Sequence, residues 1–375
     1  MKQKEIIQPG AISKLIKLLE DYNNINIFLI HGNQSYINSG AQKIFSKILK
    51  DYSIIEYEKT NSIPSLEEAE IGYQLFSRNK CNLIISVGGG SVIDTGKLIK
   101  FKVLSGENSD LLKTPIPLIA IPTTAGSGSE ATHFAVVYVK GEKQSIASND
   151  LLPDLAIVDS HLLNGQSKYQ MAVSGIDAFA QGIESYWNIN STNKSMVYSE
   201  KAIKLVWENL EKAINGDIKS RAELAIGSNY AGKAINITKT TAPHALSYGF
   251  TSMLNMPHGH AVALFLPYFT RYHAELNINN CRDQKGSEHV RLKIEKLASF
   301  LNTTIEEIDI VIAQFIKTIG LEINFKHLNI ATNKYLESLK GASIERLKNN
   351  PGVINEEVFI QIYNYNNDYL YEVIK

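Results

Sequence analysis

Residues 83–97 read LIISVGGGSVIDTGK, in which an apolar run meets three consecutive glycines and then an amphipathic stretch. This pattern predicts a buried strand over Leu83–Val87, a tight turn at the glycines and a helix over Val92–Lys100. Glycine lets the backbone approach a ligand closely, and the amide groups that begin a helix attract anions. The segment therefore predicts a phosphate-binding turn, with a strand-to-helix turn that binds nothing as the alternative.

The glycine loop matches neither of the two common phosphate motifs. The third glycine of GxGxxG would stand at Ile93, and a P-loop would have serine or threonine at Leu98, after Lys97. A second polar loop, Pro122–Glu130 (PTTAGSGSE), also follows an apolar run and offers hydroxyls and amides to another part of the same ligand. An ordinary turn is the alternative there, and the GxSxG pattern of a nucleophile elbow is absent.

Outward from this segment, short apolar runs alternate with amphipathic stretches through the first 160 residues. The alternation predicts a parallel sheet covered by helices. The expected strands are Ile25–His31, Ser53–Tyr57, Leu83–Val87, Pro117–Ile121 and Leu155–Val158, with helices near Ala41–Leu49 and over Leu66–Arg78, a polar turn at Gly32–Ser35 and an antiparallel insertion around Phe134–Val139. After about Gly165 a helical period dominates, over Ser195–Ile214, Arg221–Ile235, His289–Phe300, Ile305–Ile319 and Glu356–Asn364. We expect an α/β domain at residues 1–163 and an all-α domain at residues 164–375, with a ligand site in the cleft between them.

Composition excludes several classes of protein. The 375 residues are 44% hydrophobic and 20% charged, which is ordinary for a globular chain and excludes a wholly disordered one. Acidic and basic residues balance at 38 each, so no bulk positive charge is available for nucleic acid. Cys81 and Cys281 form no CxxC pair or disulfide framework, which favours a reducing cytoplasm. The sequence contains no apolar run long enough to predict a membrane-spanning helix, and its first residues do not predict a secretory signal.

Candidate metal ligands are found in the expected helical domain. Asp177 and Gln181 are four residues apart at the expected start of a helix and so share one face. His244 and His258 follow later in the chain. One carboxylate and two imidazoles form a plausible set for a divalent metal ion. The alternative is that the histidines are surface residues or hydrogen-bonded core residues.

Taken together, these segments resemble the iron-containing alcohol dehydrogenase family. The matching stretches, in the family's order, are GGGSVIDTGK (88–97), PTTAGSGSE (122–130), LLPDLAIVD (151–159), SGIDAFAQGIESYW (174–187), the segment from His244 to His258 and ERLKNNP (345–351). The resemblance implies a dehydroquinate synthase-like architecture, with an N-terminal dinucleotide-binding domain and a helical metal-binding domain. It also suggests a homodimer, and the charge balance and the lack of a long apolar run lead us to expect no nucleic-acid or membrane partner.

The resemblance assigns roles residue by residue. The pyrophosphate loop of the family is matched by Gly88, Gly89, Gly90 and Ser91, and the polar residues that follow this loop are matched by Asp94 and Lys97. The second cofactor loop is matched by Thr123, Thr124, Ser127 and Ser129, and a lysine near the ribose by Lys143. Asp177, His244 and His258 match three metal ligands. Gln181 stands where the family often has a histidine, and Tyr248 where some relatives have one. Gln181 either coordinates through its amide oxygen or leaves a three-ligand site with water, so the metal is Fe²⁺ or Zn²⁺. Loss of the metal is the third alternative.

A finer resemblance concerns the substrate. GIESYWNINST (182–192), NITKTTAPHALSYGFTS (236–252) and PHGHAVAL (257–264) are similar to phosphonoacetaldehyde reductases, also called hydroxyethylphosphonate dehydrogenases. The implied reaction reduces phosphonoacetaldehyde to 2-hydroxyethylphosphonate, and a phosphonate dianion needs donors near the metal. The candidates are His133, Lys239, Thr240 and Thr241, although Lys239 is equally explained as a solvated helix residue.

The cofactor and the proton path complete the expectation. The first strand ends at Gly32, Asn33 and Ser35 with no acid, whereas an NAD site often presents one to the ribose, so we expect NADPH over NADH. The metal would polarise the aldehyde for hydride transfer, and His260, Tyr248 or a ribose hydroxyl with water would relay the proton. The alternatives are a reductase of unmodified aliphatic aldehydes, a dehydroquinate synthase-like cyclase-lyase, and a noncatalytic dinucleotide-binding protein.

Overall fold

The computed structural model describes residues 3–20, 24–61, 63–105, 116–139 and 142–374 of the chain. The chain divides into two compact units, Met1–Ser167 and Lys168–Lys375. The division falls just after the boundary at residue 163 expected from the sequence. Ser160–Gly165 forms a 3₁₀ helix that still belongs to the first unit.

The first unit is built on a six-stranded sheet with the order β1-β8-β5-β4-β2-β3, and the paired strands run parallel. Its strands are β1 (Lys4–Ile7), β2 (Asn26–Gly32), β3 (Ser53–Lys59), β4 (Leu83–Gly88), β5 (Leu118–Pro122) and β8 (Leu155–Val158). Along β4, Leu83, Ile85 and Val87 join one buried apolar cluster while Ile84 joins another. The sheet is therefore buried on both faces, as parallel sheets are.

The helices of the first unit connect these parallel strands. They are α1 (Leu15–Leu19), α2 (Asn33–Asn38), α3 (Ala41–Ile48), α4 (Leu66–Arg78) and α5 (Gly90–Ser105). The Ser65 hydroxyl caps α4 by accepting a hydrogen bond from the Glu68 amide. A separate antiparallel hairpin joins β6 (Phe134–Val139) to β7 (Glu142–Ala147).

The second unit is helical over its described residues. Its helices are α6 (Lys168–Trp187), α7 (Asn193–Ile214), α8 (Ile218–Thr238), α9 (Ala242–Leu254), α10 (His258–Ala263), α11 (Leu266–Ala274), α12 (Ser287–Phe300), α13 (Ile308–Thr318), α14 (Thr332–Leu339), α15 (Ile344–Leu347), α16 (Glu356–Asn364) and α17 (Leu370–Val373). A π-helical turn, Tyr365–Tyr369, links the last two. Among the described helices, none combines the length and the apolar character that crossing a bilayer requires.

The fold class expected from the sequence is confirmed, whereas in the first unit one expected turn is wrong and one strand was not predicted. The chain forms a short helix, α2, where a polar turn was expected at Gly32–Ser35. The sequence pattern also missed β1, because a four-residue edge strand that contains Lys4 and Glu5 has no apolar run.

The register of the sheet brings the candidate loops to one edge. Gly88 at the end of β4 pairs with Pro122 at the end of β5, and His31 near the end of β2 pairs with Val87. Because the strands are parallel, the segments that follow β2, β4 and β5 all leave from the carboxyl edge. This is the edge at which open α/β sheets bind their ligands.

Candidate functional site

Helix α6 carries the acidic metal-ligand candidate near its centre. Asp177 and Gln181 lie one turn apart and both are buried. The Gln181 Nε2 atom donates a hydrogen bond to Asp177 Oδ2 at 3.2 Å. The expectation that Asp177 begins a helix is wrong, because α6 starts nine residues earlier, at Lys168.

Helix α9 places His244 against this acidic group. His244 lies in the first turn of α9, directly after Pro243, and its Nε2 atom is 3.0 Å from Asp177 Oδ1. The connection from α8 turns at Lys239, whose φ of 61° lies in the left-handed region that non-glycine residues rarely adopt. The Asn188 amide donates to the Lys239 carbonyl at 3.2 Å and thereby holds the turn.

Helix α10 brings the second histidine to the same place. His258 is its first residue, and the next residue, Gly259, lies directly on α6. A Cβ atom at Gly259 would lie 3.0 Å from both the Asp177 Cβ and the Val173 carbonyl carbon, and closer still to the Val173 carbonyl oxygen. Only glycine therefore allows α10 to approach α6 closely enough to bring His258 to Asp177.

The three side chains form a cluster suited to a metal ion. One ligand atom from each of Asp177, His244 and His258 lies within 4.8 Å of the others. Two imidazole nitrogens and one carboxylate oxygen are ligands that Zn²⁺ and Fe²⁺ both accept. The donor set therefore fits a single divalent ion, with Gln181 beside Asp177 as an additional oxygen donor.

Hydrogen bonds behind the histidines fix their orientation. Glu184, fully buried on α6, hydrogen-bonds to His244 Nδ1 and also accepts from the Thr241 amide at 2.6 Å and the Thr241 hydroxyl at 2.9 Å. Ser247 Oγ lies 3.4 Å from His258 Nδ1. A carboxylate behind a ligating histidine is the usual device that fixes its tautomer and raises its basicity.

Glu184 was missed by the sequence reasoning. The signal was present, because Asp177, Gln181 and Glu184 follow the i, i+4, i+7 spacing that defines one helix face. The same network shows why Thr241 is not a free phosphonate donor: it is fully buried, and its hydroxyl donates to Glu184 and accepts from Trp187 Nε1 at 2.8 Å.

The two acidic neighbours dominate the electrostatics of His244. Burial alone would lower its pKa, but Glu184 and Asp177 outweigh burial and raise the pKa to about 10. The imidazole therefore carries a proton shared with these acids at neutral pH, in the position where a cation would bind. A bound metal ion would replace that proton.

The two candidates for proton relay differ in their surroundings. Both ring nitrogens of His260 are engaged, Nδ1 with the Tyr169 hydroxyl at 3.0 Å and Nε2 with the Glu322 carbonyl at 2.7 Å. Burial lowers the pKa of His260, so its ring is neutral and ties α10 to α6 and to the Glu322 segment. Tyr248 stays beside the cluster, with its ring centroid 5.8 Å from that of His258.

In the first unit, the two loops expected to bind a dinucleotide are packed against each other. The Thr123 amide donates to the Gly88 carbonyl at 3.0 Å. A Cβ at Gly90 would lie 2.5 Å from Ser127 Oγ, and one at Gly89 would lie 3.5 Å from the Thr124 methyl group. The loops thus approach each other as glycine permits, and they place the hydroxyls of Ser91, Thr124 and Ser127 beside the start of α5. This arrangement fits a phosphate-bearing ligand.

The buried polar followers of the glycine loop hold the loops together. Asp94 hydrogen-bonds to the Ser129 hydroxyl and accepts from the Val136 amide at 2.9 Å. Lys97 is fully buried and donates to Ser129 Oγ at 3.0 Å, to Thr132 Oγ1 at 2.8 Å and to the Phe134 carbonyl at 2.8 Å. Burial lowers the pKa of Lys97 to about 8. Asp94, Lys97 and Ser129 therefore join α5 to the second loop.

The edge formed by β2 and β3 contains an acid that the first strand alone does not show. A Cβ at Gly32 would lie 2.6 Å from Ser35 Oγ and 3.5 Å from Val92, so this strand end lies beside the first turn of α5. Asn33 Nδ2 donates to Glu58 Oε1 at 2.7 Å. The first strand itself ends without an acid, as the sequence shows, but Glu58 of the neighbouring strand lies beside it.

The other expected substrate and cofactor residues belong to both units. Lys239 is partly exposed and forms an ion pair with Glu345, while the buried Thr240 accepts a hydrogen bond from Asn349 at its carbonyl. His133 belongs to the first unit, where its carbonyl accepts from the Ser148 amide at 3.1 Å. The side chain of Lys143 lies outside the described residues.

An α/β unit with a glycine loop, joined in one chain to a helical unit with a carboxylate–imidazole cluster, is the arrangement of a two-unit metal- and dinucleotide-dependent enzyme. The family models for iron-containing alcohol dehydrogenase match residues 3–160, and for the C-terminal part of that family residues 171–366. The chain belongs to the iron-containing alcohol dehydrogenase family.

Individual relatives agree with this assignment. The chain is 29% identical to a phosphonoacetaldehyde reductase of Streptomyces viridochromogenes over 64% of this chain and 66% of the relative. It is 34% identical to a long-chain-alcohol dehydrogenase 1 of Geobacillus thermodenitrificans over 70% of each chain. The chain thus spans about two thirds of the length of these curated relatives. The fold is also that of a sulfoacetaldehyde reductase from Bifidobacterium kashiwanohense, solved in complex with NAD⁺, with a TM-score of 0.85 and 23% identity over 98% of this chain and 97% of that one.

Proposed function

We propose that this chain catalyses the metal-assisted reduction of phosphonoacetaldehyde to 2-hydroxyethylphosphonate, with a reduced nicotinamide dinucleotide as the hydride source. The observation that carries the proposal is the cluster of the buried Asp177 and His244 with the partly buried His258, whose ligand atoms lie within 4.8 Å of one another. Family membership supports alcohol and aldehyde chemistry, and the Streptomyces relative supports the phosphonate substrate. An intact ligand cluster backed by Glu184 argues against a decayed, noncatalytic site.

The residues of the second unit prepare the site for an aldehyde. When bound, a divalent ion supplies Lewis acidity toward the carbonyl oxygen, and a reduced dinucleotide supplies the hydride. Glu184 hydrogen-bonds to Nδ1 of His244 and so directs its Nε2 atom toward Asp177. Ser247 Oγ lies 3.4 Å from Nδ1 of His258 and so supports that ring beside Asp177 and His244. These contacts hold the donor atoms in place before the substrate arrives.

The reduction consumes one proton for each hydride, and this proton must reach the oxygen of the nascent alcohol. We assign its delivery to the Tyr248 hydroxyl, because this ring packs beside His258. His260 is a weaker candidate since both of its nitrogens are already hydrogen-bonded. A ribose hydroxyl with water is the other route. A Tyr248→Phe variant that keeps full turnover would remove Tyr248 from the proton path.

A reductase of unmodified aliphatic aldehydes is the second candidate. It is favoured by the 34% identity to the long-chain-alcohol dehydrogenase, and by the engagement of Thr241 and Lys239 in contacts within the protein. A dehydroquinate synthase-like cyclase-lyase has less support, because the family match is to alcohol dehydrogenases along most of the chain. A cyclase-lyase would regenerate its dinucleotide, whereas a reductase consumes it.

The deciding experiment compares kcat/KM for phosphonoacetaldehyde, acetaldehyde and butanal, with NADH and NADPH and with Fe²⁺ or Zn²⁺ supplied. We expect phosphonoacetaldehyde to be preferred, and equal efficiency across the three would remove the phosphonate assignment. His258→Ala is expected to abolish metal-dependent turnover while dinucleotide binding persists. His161→Ala, at an exposed histidine of the first unit, serves as the matched control and should behave as the wild type.

The remaining expectations form part of the same proposal. We propose a cytoplasmic homodimer that acts on a small aldehyde and has no nucleic-acid or membrane partner. Light scattering coupled to size exclusion tests the dimer. The expectation of NADPH was based on the lack of an acid at the end of the first strand, and Glu58 beside Asn33 weakens that argument. We therefore write the reaction for either dinucleotide.

A further inference from the structure

The carboxyl edge of β2 and β3 carries an acid next to the expected dinucleotide site. In the parallel register, His31 pairs with Glu58 and Gly32 with Lys59. Glu58 therefore reaches the same edge as the end of β2, where Asn33 Nδ2 donates to its Oε1 atom at 2.7 Å. The hydrogen bond holds an exposed carboxylate at this edge, beside the first residue of α2.

This edge lies next to the glycine loop. Strand β2 pairs with β4, the strand that ends in the three glycines, and a Cβ at Gly32 would lie 3.5 Å from Val92 in the first turn of α5. In doubly wound folds the pyrophosphate sits at that helix and the adenosine ribose extends across the neighbouring strand end. The ribose and its 2′ substituent are therefore expected to lie near Asn33 and Glu58.

The charges on the two strands oppose a phosphate at that position. The segments 26–38 and 53–59 contain two acids, Glu56 and Glu58, and two basic side chains, His31 and Lys59. Lys59 is buried, donates to the Asn61 and Ile63 carbonyls and pairs with Glu68 at 3.1 Å. His31 is buried as well, stacks on the Tyr36 ring at 4.1 Å and lies 3.7 Å from Glu56. Both basic groups of these two segments are thus engaged elsewhere.

We propose that Glu58, held by Asn33, determines the dinucleotide preference by accepting a ribose hydroxyl and repelling a 2′-phosphate, so that this chain binds NAD(H) more tightly than NADP(H). The inference rests on the proposed function only in taking the ligand to be a nicotinamide dinucleotide. It reverses the preference expected from the first strand alone. A carboxylate within a few ångströms of a phosphate dianion in partly exposed surroundings is expected to disfavour binding by about tenfold or more.

The test is direct binding of NAD⁺ and NADP⁺ to the metal-loaded protein by calorimetry, without aldehyde, for the wild type, Glu58→Gln and Glu56→Gln. Glu58→Gln keeps the shape and a hydrogen bond to Asn33 but removes the charge. Glu56→Gln is the matched control, because it removes an acid two residues away on the same strand. We expect the wild type to bind NAD⁺ at least tenfold more tightly, and Glu58→Gln to tighten NADP⁺ binding about tenfold, with little change in Glu56→Gln.

Two outcomes would overturn the inference: tighter binding of NADP⁺ by the wild type, or equal effects of the two substitutions on NADP⁺. The measurement is also separable from the proposed reaction. If phosphonoacetaldehyde is not reduced but the dinucleotide preference follows Glu58, the substrate assignment fails and this inference stands. If neither dinucleotide binds, the inference fails together with the cofactor assignment. The fragments 5′-AMP and 2′,5′-ADP, titrated in competition, localise the effect to the 2′ position.

Discussion

Gly259→Ala is expected to disable the metal site without touching a ligand. The added Cβ would lie 3.0 Å from both the Asp177 Cβ and the Val173 carbonyl carbon, and nearer to the Val173 oxygen. Backbone atoms of α6 cannot rotate away, so α10 must move by roughly 1 Å to restore ordinary contact distances. His258 precedes Gly259 and moves with it. A misplacement of that size costs about 100-fold in rate when it disturbs reacting groups.

The assay measures the metal content of the purified variant, its kcat and its free energy of unfolding. We expect weakened metal binding, a kcat lower by about 100-fold and a stability loss of roughly 1–3 kcal/mol from overpacking. Gly175→Ala on α6 is the control, because its Cβ would meet the flexible end of Leu210, with Cδ2 at 2.8 Å and Cδ1 closer. That variant should lose stability but keep its metal. A Gly259→Ala enzyme with full metal content and normal kcat would refute the argument that this glycine positions His258.

Three further predictions follow from buried polar groups. Glu184→Gln leaves the three ligands in place but weakens the support of His244. We therefore expect metal affinity to fall about 10- to 100-fold in a chelator competition, with Glu200→Gln, at a partly exposed glutamate of α7, as control. Lys97→Met removes the ammonium group that donates to Ser129, Thr132 and the Phe134 carbonyl. We expect the free energy of unfolding in urea to fall by about 3–5 kcal/mol and dinucleotide binding to weaken. Unchanged binding would mean that the second loop does not depend on this lysine. Burial lowers the pKa of His273 to about 3 from an ordinary 6.5, so below pH 6.5 the unfolded chain binds a proton that the folded chain does not. The free energy of unfolding therefore falls by about 1.4 kcal/mol for each pH unit between pH 6.5 and pH 3. His273→Gln should flatten that part of the pH profile, and an unaltered slope would assign the acid sensitivity to other groups.

The sequence predicted what depends on local pattern. Apolar runs located five of the six strands of the sheet, and spacing along one helix brought Asp177 and Gln181 together, because both signals are periodic along the chain. Strand β1 was missed since its stability comes from pairing with β8 about 150 residues later. Glu58 was missed for the same kind of reason: its contact with Asn33 is set by the register of two strands.

The functional residues also differ in whether local sequence or distant contacts reveal their roles. Asp177, His244 and His258 were predicted because their residue types and motifs mark metal ligands, and the structure brings them together. The engagement of His260 by Tyr169 and Glu322 could not be predicted, because those partners lie 91 and 62 residues away along the chain. Thr241 illustrates a further limit, since a hydroxyl in a matched motif is indistinguishable by sequence from one that supports Glu184.

The charge of the metal site gives a reason for a neutral residue at Gln181. Two acidic side chains, Asp177 and Glu184, are buried around one imidazole, and isolated buried charges are costly unless they are compensated. A divalent cation neutralises the charge of the two carboxylates when the histidines are neutral. A third acid at position 181 would leave an uncompensated charge, whereas a glutamine amide adds none and orients Asp177 through its hydrogen bond. A glutamine at this position therefore keeps the charge balance that a divalent ion requires, which favours a site that binds its metal over one that has lost it.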